Sequence, residues 1–133
     1  MASPAGRRAI ALIAHDGKKA AMVSFVKDFE AQLQPHRLIT TGTTGKLIAE
    51  STSLRVERKL SGPLGGDAQI AALAATGKID AVIFFRDPLG MHPHDPDISM
   101  LMRICDVHNV PLATNPATAT AVITQLSREA GIL

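Results

Sequence analysis

The sequence predicts an α/β fold, an open, doubly wound parallel sheet of about five strands with helices on both faces. Two observations carry that expectation. Five short apolar runs alternate with stretches of helical periodicity, a rhythm that requires parallel strands joined by helical crossovers. The fourth run, "AVIFF" at 81–85, is apolar at every position, as a strand covered on both faces must be.

The strands are read at Ala9–Ala14, Arg37–Thr40, Leu54–Leu60, Ala81–Phe85 and Val110–Thr114. Between them, Met22, Phe25, Val26, Phe29 and Leu33 form one helical stripe, and Ile98, Leu101, Met102 and Cys105 form another. Shorter helices are expected at Thr44–Ser51 and Asp67–Thr76. Asp95 before Pro96 and Asn115 before Pro116 each fit a capping side chain followed by proline in the first turn.

The 133 residues suit one domain with a single core, and 46% hydrophobic with 20% charged residues is ordinary globular composition. Residues 1–8 read as a flexible N-terminal extension. The lone Cys105 cannot pair within the chain and lies on an apolar helix face, so it is expected to be packed. No run reaches the roughly 18–20 apolar residues of a membrane span, and the first apolar run breaks at His15-Asp16, too soon for a signal peptide. A cytoplasmic location follows, with no membrane partner. A pI near 9.0 raises the question of nucleic acid. Trp and Tyr are absent, however, the four Phe sit in apolar patterns, and no basic block exists, so a nucleic-acid partner is not expected. A net charge of +2 also suits a small anionic ligand.

Ligands of open α/β sheets bind outside the carboxyl ends of the strands. The segments after the five strands read "HDGKK", "TGTTGK", "SGPLGGD", "RDPLGMHPHDPD" and "NPAT". Three of the five histidines, the glycine-rich turns and most of the unpaired acids fall on that rim. The chemistry is expected there.

"TGTTGK" (Thr41–Lys46) opens a helix with glycines and three hydroxyls, which together can cradle a phosphate. Its glycines are too close for a P-loop, and the plain alternative is a capped turn. "HDGKK" puts Lys18 and Lys19 into a first helical turn, where the macrodipole disfavours cations. A bound anion partnered by Lys19 would resolve this, and solvated lysines are the alternative. "HPHDPD" offers His92, His94, Asp95 and Asp97, a spacing that could ligate a metal, but no Cys partner or H-E-x-x-H helix supports one. His94 and Asp97 have no evident structural task, so they are acid–base candidates beside the reading as a solvated loop. In "SGPLGGD", Asp67 at a helix start needs none of the preceding glycines for capping. Glycines instead suit close approach of backbone to ligand, and Ser61 and Gly62 add donors.

Taken together, "IALIAHDGKK", "TGTTGKLI", "SGPLGGDAQ", "IFFRDPL" and "PHDPD…VPLATNPATA" closely resemble the methylglyoxal synthase family, from about Ala9 to Ile123. The resemblance implies a Rossmann- or flavodoxin-like architecture and a lyase that converts dihydroxyacetone phosphate to methylglyoxal and inorganic phosphate, without metal or organic cofactor. By motif position it implies Asp67 as catalytic base and His94 as the contact to the substrate carbonyl and hydroxyl, with Asp97 and Asp16 as assisting acids. It places His15, Lys19, Thr41, Gly42, Thr43, Thr44, Ser61 and Gly62 at substrate- or phosphate-binding positions. It further implies a homohexamer and inhibition by phosphate. The chain ends at Leu133, where some members carry a longer tail reaching a neighbouring subunit, which leaves regulation between subunits open. The wider superfamily holds non-catalytic phosphate-effector modules, which need the cradle but not the acids. A metal-dependent hydrolase using "HPHDPD" is the third reading.

Overall fold

The computed structural model describes residues 7–92 and 94–131. Its strands β1 (Ala9–Ala14), β2 (Arg37–Thr40), β3 (Glu57–Arg58), β4 (Ala81–Phe85) and β5 (Leu112–Ala113) form one parallel sheet in the order β3-β2-β1-β4-β5. The chain therefore builds outward from β1 on one side, then returns to place β4 on the other. That reversal between β1 and β4 opens a crevice at the carboxyl ends of the strands.

Among the described residues six α-helices flank the sheet: α1 (Lys19–Asp28), α2 (Glu30–Leu33), α3 (Gly42–Ser51), α4 (Gly66–Ala75), α5 (Asp95–Val107) and α6 (Pro116–Glu129). The alternation of side chains along β1 and β4 assigns them to two cores. Ile10, Leu12, Ile83 and Phe85 pack with Met22, Phe25, Leu33, Ile48 and Ile123, from α1, α2, α3 and α6. Ala11, Ile13, Val82 and Phe84 pack on the opposite face with Ile70, Ala74, Ile98 and Leu101, from α4 and α5. Truncating a fully buried side chain such as Ile83 to Ala is worth roughly 2–5 kcal/mol of stability. Cys105 is fully buried in the second core, and burial pushes its thiol up to about 11, so it is packed rather than reactive.

Several boundaries differ from the sequence reading. The stretch read as a strand at Leu54–Leu60 is in register with β2 at Glu57 and Arg58, with the Lys59 N–H donating to the Thr40 carbonyl at 2.7 Å; Leu54 lies off the ladder, in the core. The last strand shrinks from Val110–Thr114 to two residues. Both lie at sheet edges, where one missing neighbour shortens the ladder. The long stripe Met22–Leu33 is divided at Phe29, whose backbone (φ −113°, ψ 21°) leaves the helical region. Asn115 caps α6 as expected, its side chain accepting from the Thr118 N–H at 3.0 Å. Asp95 does not cap α5. The His94 carbonyl receives the first bonds, from the N–H groups of Asp97 and Ile98, so His94 is the cap and Asp95 the first helical residue. Of the expected N-terminal extension, residues 1–6 lie outside the described residues. Arg8 already belongs to the fold: its N–H donates to His36 Nδ1 at 2.9 Å, and its carbonyl accepts from Arg37 at 2.9 Å.

Candidate active site

A cavity of about 440 Å³ lies at the carboxyl ends of the strands. The segment after β1 contributes His15, Asp16 and Lys19, and that after β2 contributes Thr41 and Thr43. Ser61, Gly62 and Asp67 come from the turn after β3, and His94 from the loop after β4. Nine of the residues singled out from sequence thus meet in one place. Its size suits a small, polar ligand.

The glycine-rich turn explains how Asp67 arrives there. Gly62–Leu64 form a single tight turn, and the Ser61 carbonyl accepts from both Leu64 and Gly66 at 3.0 Å. Gly65 then takes φ 104°, a left-handed conformation that a side chain disfavours. Gly66 passes so close to the Leu60 carbonyl that a Cβ there would collide with it. Gln69 secures the turn, its Oε1 accepting from the Leu60 N–H at 2.9 Å. Asp67 is thereby set in the first turn of α4, where the helix dipole favours a negative charge. Gly62 makes room in front: a Cβ on it would lie 2.8 Å from His94 Nε2 and 3.4 Å from Asp67 Oδ1.

Asp67 is fully buried, with Oδ2 3.3 Å from His94 Nε2. Neither carboxylate oxygen has a hydrogen-bond partner among the described residues, so the His94 contact is close without being aligned as a bond. A carboxylate stripped of water and given no donors prefers to hold a proton. Burial accordingly raises its pKa above the ordinary value. Nearby Asp97 adds to the rise, while His94 and Lys19 oppose it.

The cationic side of the cavity is Lys19. Its Nζ donates to the Ala14 carbonyl at 2.7 Å and pairs with Asp16 Oδ1 at 3.0 Å. The conflict read from sequence, lysines at a helix start, is thus eased within the protein: Asp16 supplies the negative charge. The side chain of Asp16 is otherwise exposed, and Lys19 holds its pKa below the usual value. Thr41 caps α3 with extended backbone, and its hydroxyl lies 3.4 Å from that of Thr44. His15 is buried, and its Nδ1 accepts from the Asp87 N–H at 2.8 Å.

Three sequence candidates stand behind this wall. Gly42 has both backbone groups engaged, its N–H donating to Leu60 and its carbonyl accepting from Arg58. Thr44 is buried behind Thr41, and Asp97, half-buried on α5, acts on Asp67 only through its charge. Conversely, His92 lines the cavity, its ring stacked on that of His15 with centroids 3.7 Å apart. Sequence reasoning weighed His92 only as a metal ligand. Among the described residues, no three His, Cys, Asp or Glu side chains are grouped so as to hold a metal ion. Met91 and Pro63 also line the cavity and carried no sequence signal of their own.

This fold and rim define an MGS-like domain, and the family model of that description matches residues 21–114, so the chain belongs to the MGS-like domain family. Among its relatives are enzymes named methylglyoxal synthase. That of Burkholderia lata is 58% identical over 119 residues, covering 90% of this chain and 92% of its own length. That of Moorella thermoacetica is 56% identical over 122 residues, covering 92% and 95%. The crystal structure of methylglyoxal synthase from Elizabethkingia anophelis NUHP1 superposes with a TM-score of 0.87 at 46% identity, covering 93% of this chain and 82% of that one.

Proposed function

We propose that this chain is a lyase that converts dihydroxyacetone phosphate to methylglyoxal and inorganic phosphate. The observation that carries the reading is Asp67, a buried carboxylate without hydrogen bonds, held 3.3 Å from His94 beside the Lys19 and threonine wall. An effector-binding module has use for that wall but none for a buried carboxylate without hydrogen bonds, which costs stability.

The chemistry follows from the geometry. Asp67 takes a proton from the hydroxymethyl carbon beside the ketone, and the electron pair passes to the ketone oxygen, giving an enediolate. Its raised pKa makes it a stronger base than an ordinary aspartate and a better holder of the proton it removes. His94 donates to the enediolate oxygens. A proton then passes from the neighbouring hydroxyl to the former ketone oxygen by way of His94. The pair left on the terminal oxygen forms the aldehyde, the C=C pair shifts toward the carbon that bears phosphate, and the C–O bond breaks. This leaves the enol of methylglyoxal, whose hydroxyl proton is lost as its methylene carbon gains one to become the ketone's methyl group. Elimination requires that C–O bond out of the enediolate plane. Lys19, Thr41, Thr43, Ser61 and the His15 imidazole are the groups that would fix that torsion and hold the departing dianion. Gly42 and Thr44 support the same wall from behind, Gly62 leaves room for His94, and Asp16 and Asp97 act on Lys19 and Asp67 through charge.

The reading includes inhibition by phosphate at the same cradle, and a homohexamer working in the cytoplasm. Among the described residues no helix is long and apolar enough to cross a membrane. The test is incubation of the pure protein with dihydroxyacetone phosphate, following both products. Equal release of methylglyoxal and phosphate is expected; phosphate alone would indicate a phosphatase, and neither product an effector module.

A further inference from the structure

We propose that His92 is a positioning residue: stacked on His15, it holds that imidazole as a neutral hydrogen-bond donor for the phosphate ester. The inference deepens the function proposed above and rests on it.

His15 is held by its backbone, by Nδ1 and by two ring contacts. Its backbone N–H donates to the Phe85 carbonyl at 3.1 Å, tying it to the end of β4. Its ring meets the edge of Phe84 with centroids 5.0 Å apart at 73°. The opposite contact is the His92 ring, nearly parallel at 17° and 3.7 Å away. Nδ1 accepts from the Asp87 N–H, so it carries no proton, and the neutral ring has its proton on Nε2. That Nε2–H has no acceptor among the described residues, although the ring lines the cavity. Charging the ring would put a second donor on Nδ1, facing the donor of Asp87.

The loop after β4 is shaped to bring His92 there. Asp87 Oδ1 accepts from the Leu89 N–H at 3.1 Å, turning the chain sharply. Gly90 follows, where a Cβ would lie 2.8 Å from Asp87 Oδ2 and 3.0 Å from His92 Nε2. Only a residue without a side chain leaves both groups in place. Burial, to which the stacked ring contributes, is the largest influence lowering the His15 pKa to about 4, and the charge of His92 is the second. The other charged or titratable groups around it are Asp16 and Lys19 after β1, Arg86 and Asp87 after β4, His94, and Asp67 across the cavity.

A neutral donor can hold a phosphate ester and still release the dianion it becomes. An imidazolium at that point would retain the product. Removing His92 should therefore strengthen phosphate binding in mild acid, the opposite of what loss of a merely structural contact would do.

The experiment compares wild type with His92→Ala and His92→Phe by two readouts: NMR titration of the His15 ring, and inhibition by inorganic phosphate near pH 8 and near pH 6, on either side of the ordinary imidazole pKa. In H92A, His15 should titrate well above 4, toward 6.5. Phosphate should then inhibit H92A about fivefold more tightly than wild type near pH 6, the step from a neutral to a charge-assisted bond, with the gain lost near pH 8. H92F, which keeps the ring face and with it the burial but not the charge of His92, should hold the His15 titration below 6.5 and keep most of the wild-type pH dependence. The proposal is overturned if His15 titrates alike in H92A and wild type, or if phosphate inhibition weakens by the same factor at both pH values. Should H92A not fold, a folded H92F in which His15 titrates near 6.5 overturns it equally. A wild type that phosphate does not inhibit at either pH, with the His15 titration still governed by His92, would sink the phosphate-ester reading and leave the ring-stacking half standing.

Discussion

Oδ2 of Asp67 lies 3.3 Å from Nε2 of His94, yet neither oxygen of this fully buried carboxylate accepts a hydrogen bond among the described residues. A folding-optimised site would have given it donors or replaced it. Asp67→Asn keeps the shape and removes the base, so kcat should fall by about 10²–10⁴. Phosphate inhibition should stay near the wild-type value, because the cradle is intact. A variant with nearly full turnover would reject Asp67 as the base.

The raised Asp67 pKa fixes two pH dependences with definite signs. Activity needs the ionised base, so kcat/KM should fall as pH drops, along a limb centred above the ordinary carboxylate value of 3.8. Stability runs the other way. The folded state holds this proton more tightly than the unfolded chain, so Asp67 costs stability above its folded pKa and nothing below 3.8. Thermal melts of wild type and D67N should therefore show D67N gaining relative stability as pH rises through that window. A pH-independent difference would contradict the assignment of an unpaired, buried charge.

Gly62 sets the separation of the acid and the histidine. In Gly62→Ala, the new Cβ meets His94 Nε2 at 2.8 Å, and His94 must move. Displacing a reacting group by about 1 Å commonly costs about a hundredfold, so kcat should drop by that order. The melting temperature should change little, since Gly62 does not sit at positive φ and the atoms in the way are the tip of the His94 side chain. A large loss of stability with normal kcat would show the glycine to be structural only.

The fold was largely legible because its signals are strong and repetitive. "AVIFF" and the apolar run of β1 could only be central strands, and the rim rule then gathered the motifs at one end of the sheet. The edge strands were less legible because their pairing depends on a neighbour that sequence does not display: Leu54 and Glu57 belong to one extended run, but only Glu57 meets β2. Asp67 and Lys19 could be read from motif chemistry. The stacking of His92 on His15 could not, because 77 positions separate them and only the turn at Asp87 and Gly90 brings them together. Gly42 illustrates the converse: its motif suggests a ligand, while its backbone is occupied holding the Leu60 turn.

Metal removal is expected to change nothing. His94 and the surrounding N–H donors are the groups assigned to the enediolate charge, so exhaustive chelation should leave kcat and KM at their starting values. An enzyme inactivated by chelation and restored by zinc would overturn that assignment and return attention to the "HPHDPD" loop.

The order of events, proton removal at Asp67 and then loss of phosphate from a clamped torsion, is tested most directly by deuterium incorporation into recovered dihydroxyacetone phosphate. Lys19→Met and Thr43→Val each remove a proposed contact to phosphate, worth roughly 1.5–3 kcal/mol for the charged one, and should raise KM and weaken phosphate inhibition together. With the torsion loosened, part of the enediolate should be reprotonated, so exchange with solvent continues while methylglyoxal formation slows. D67N should lose exchange and elimination alike. Substrate recovered from the cradle variants in heavy water should therefore carry deuterium, and that recovered from D67N should carry none. Deuterium entering the substrate at the wild-type rate in D67N would contradict the central claim that this buried carboxylate takes the proton.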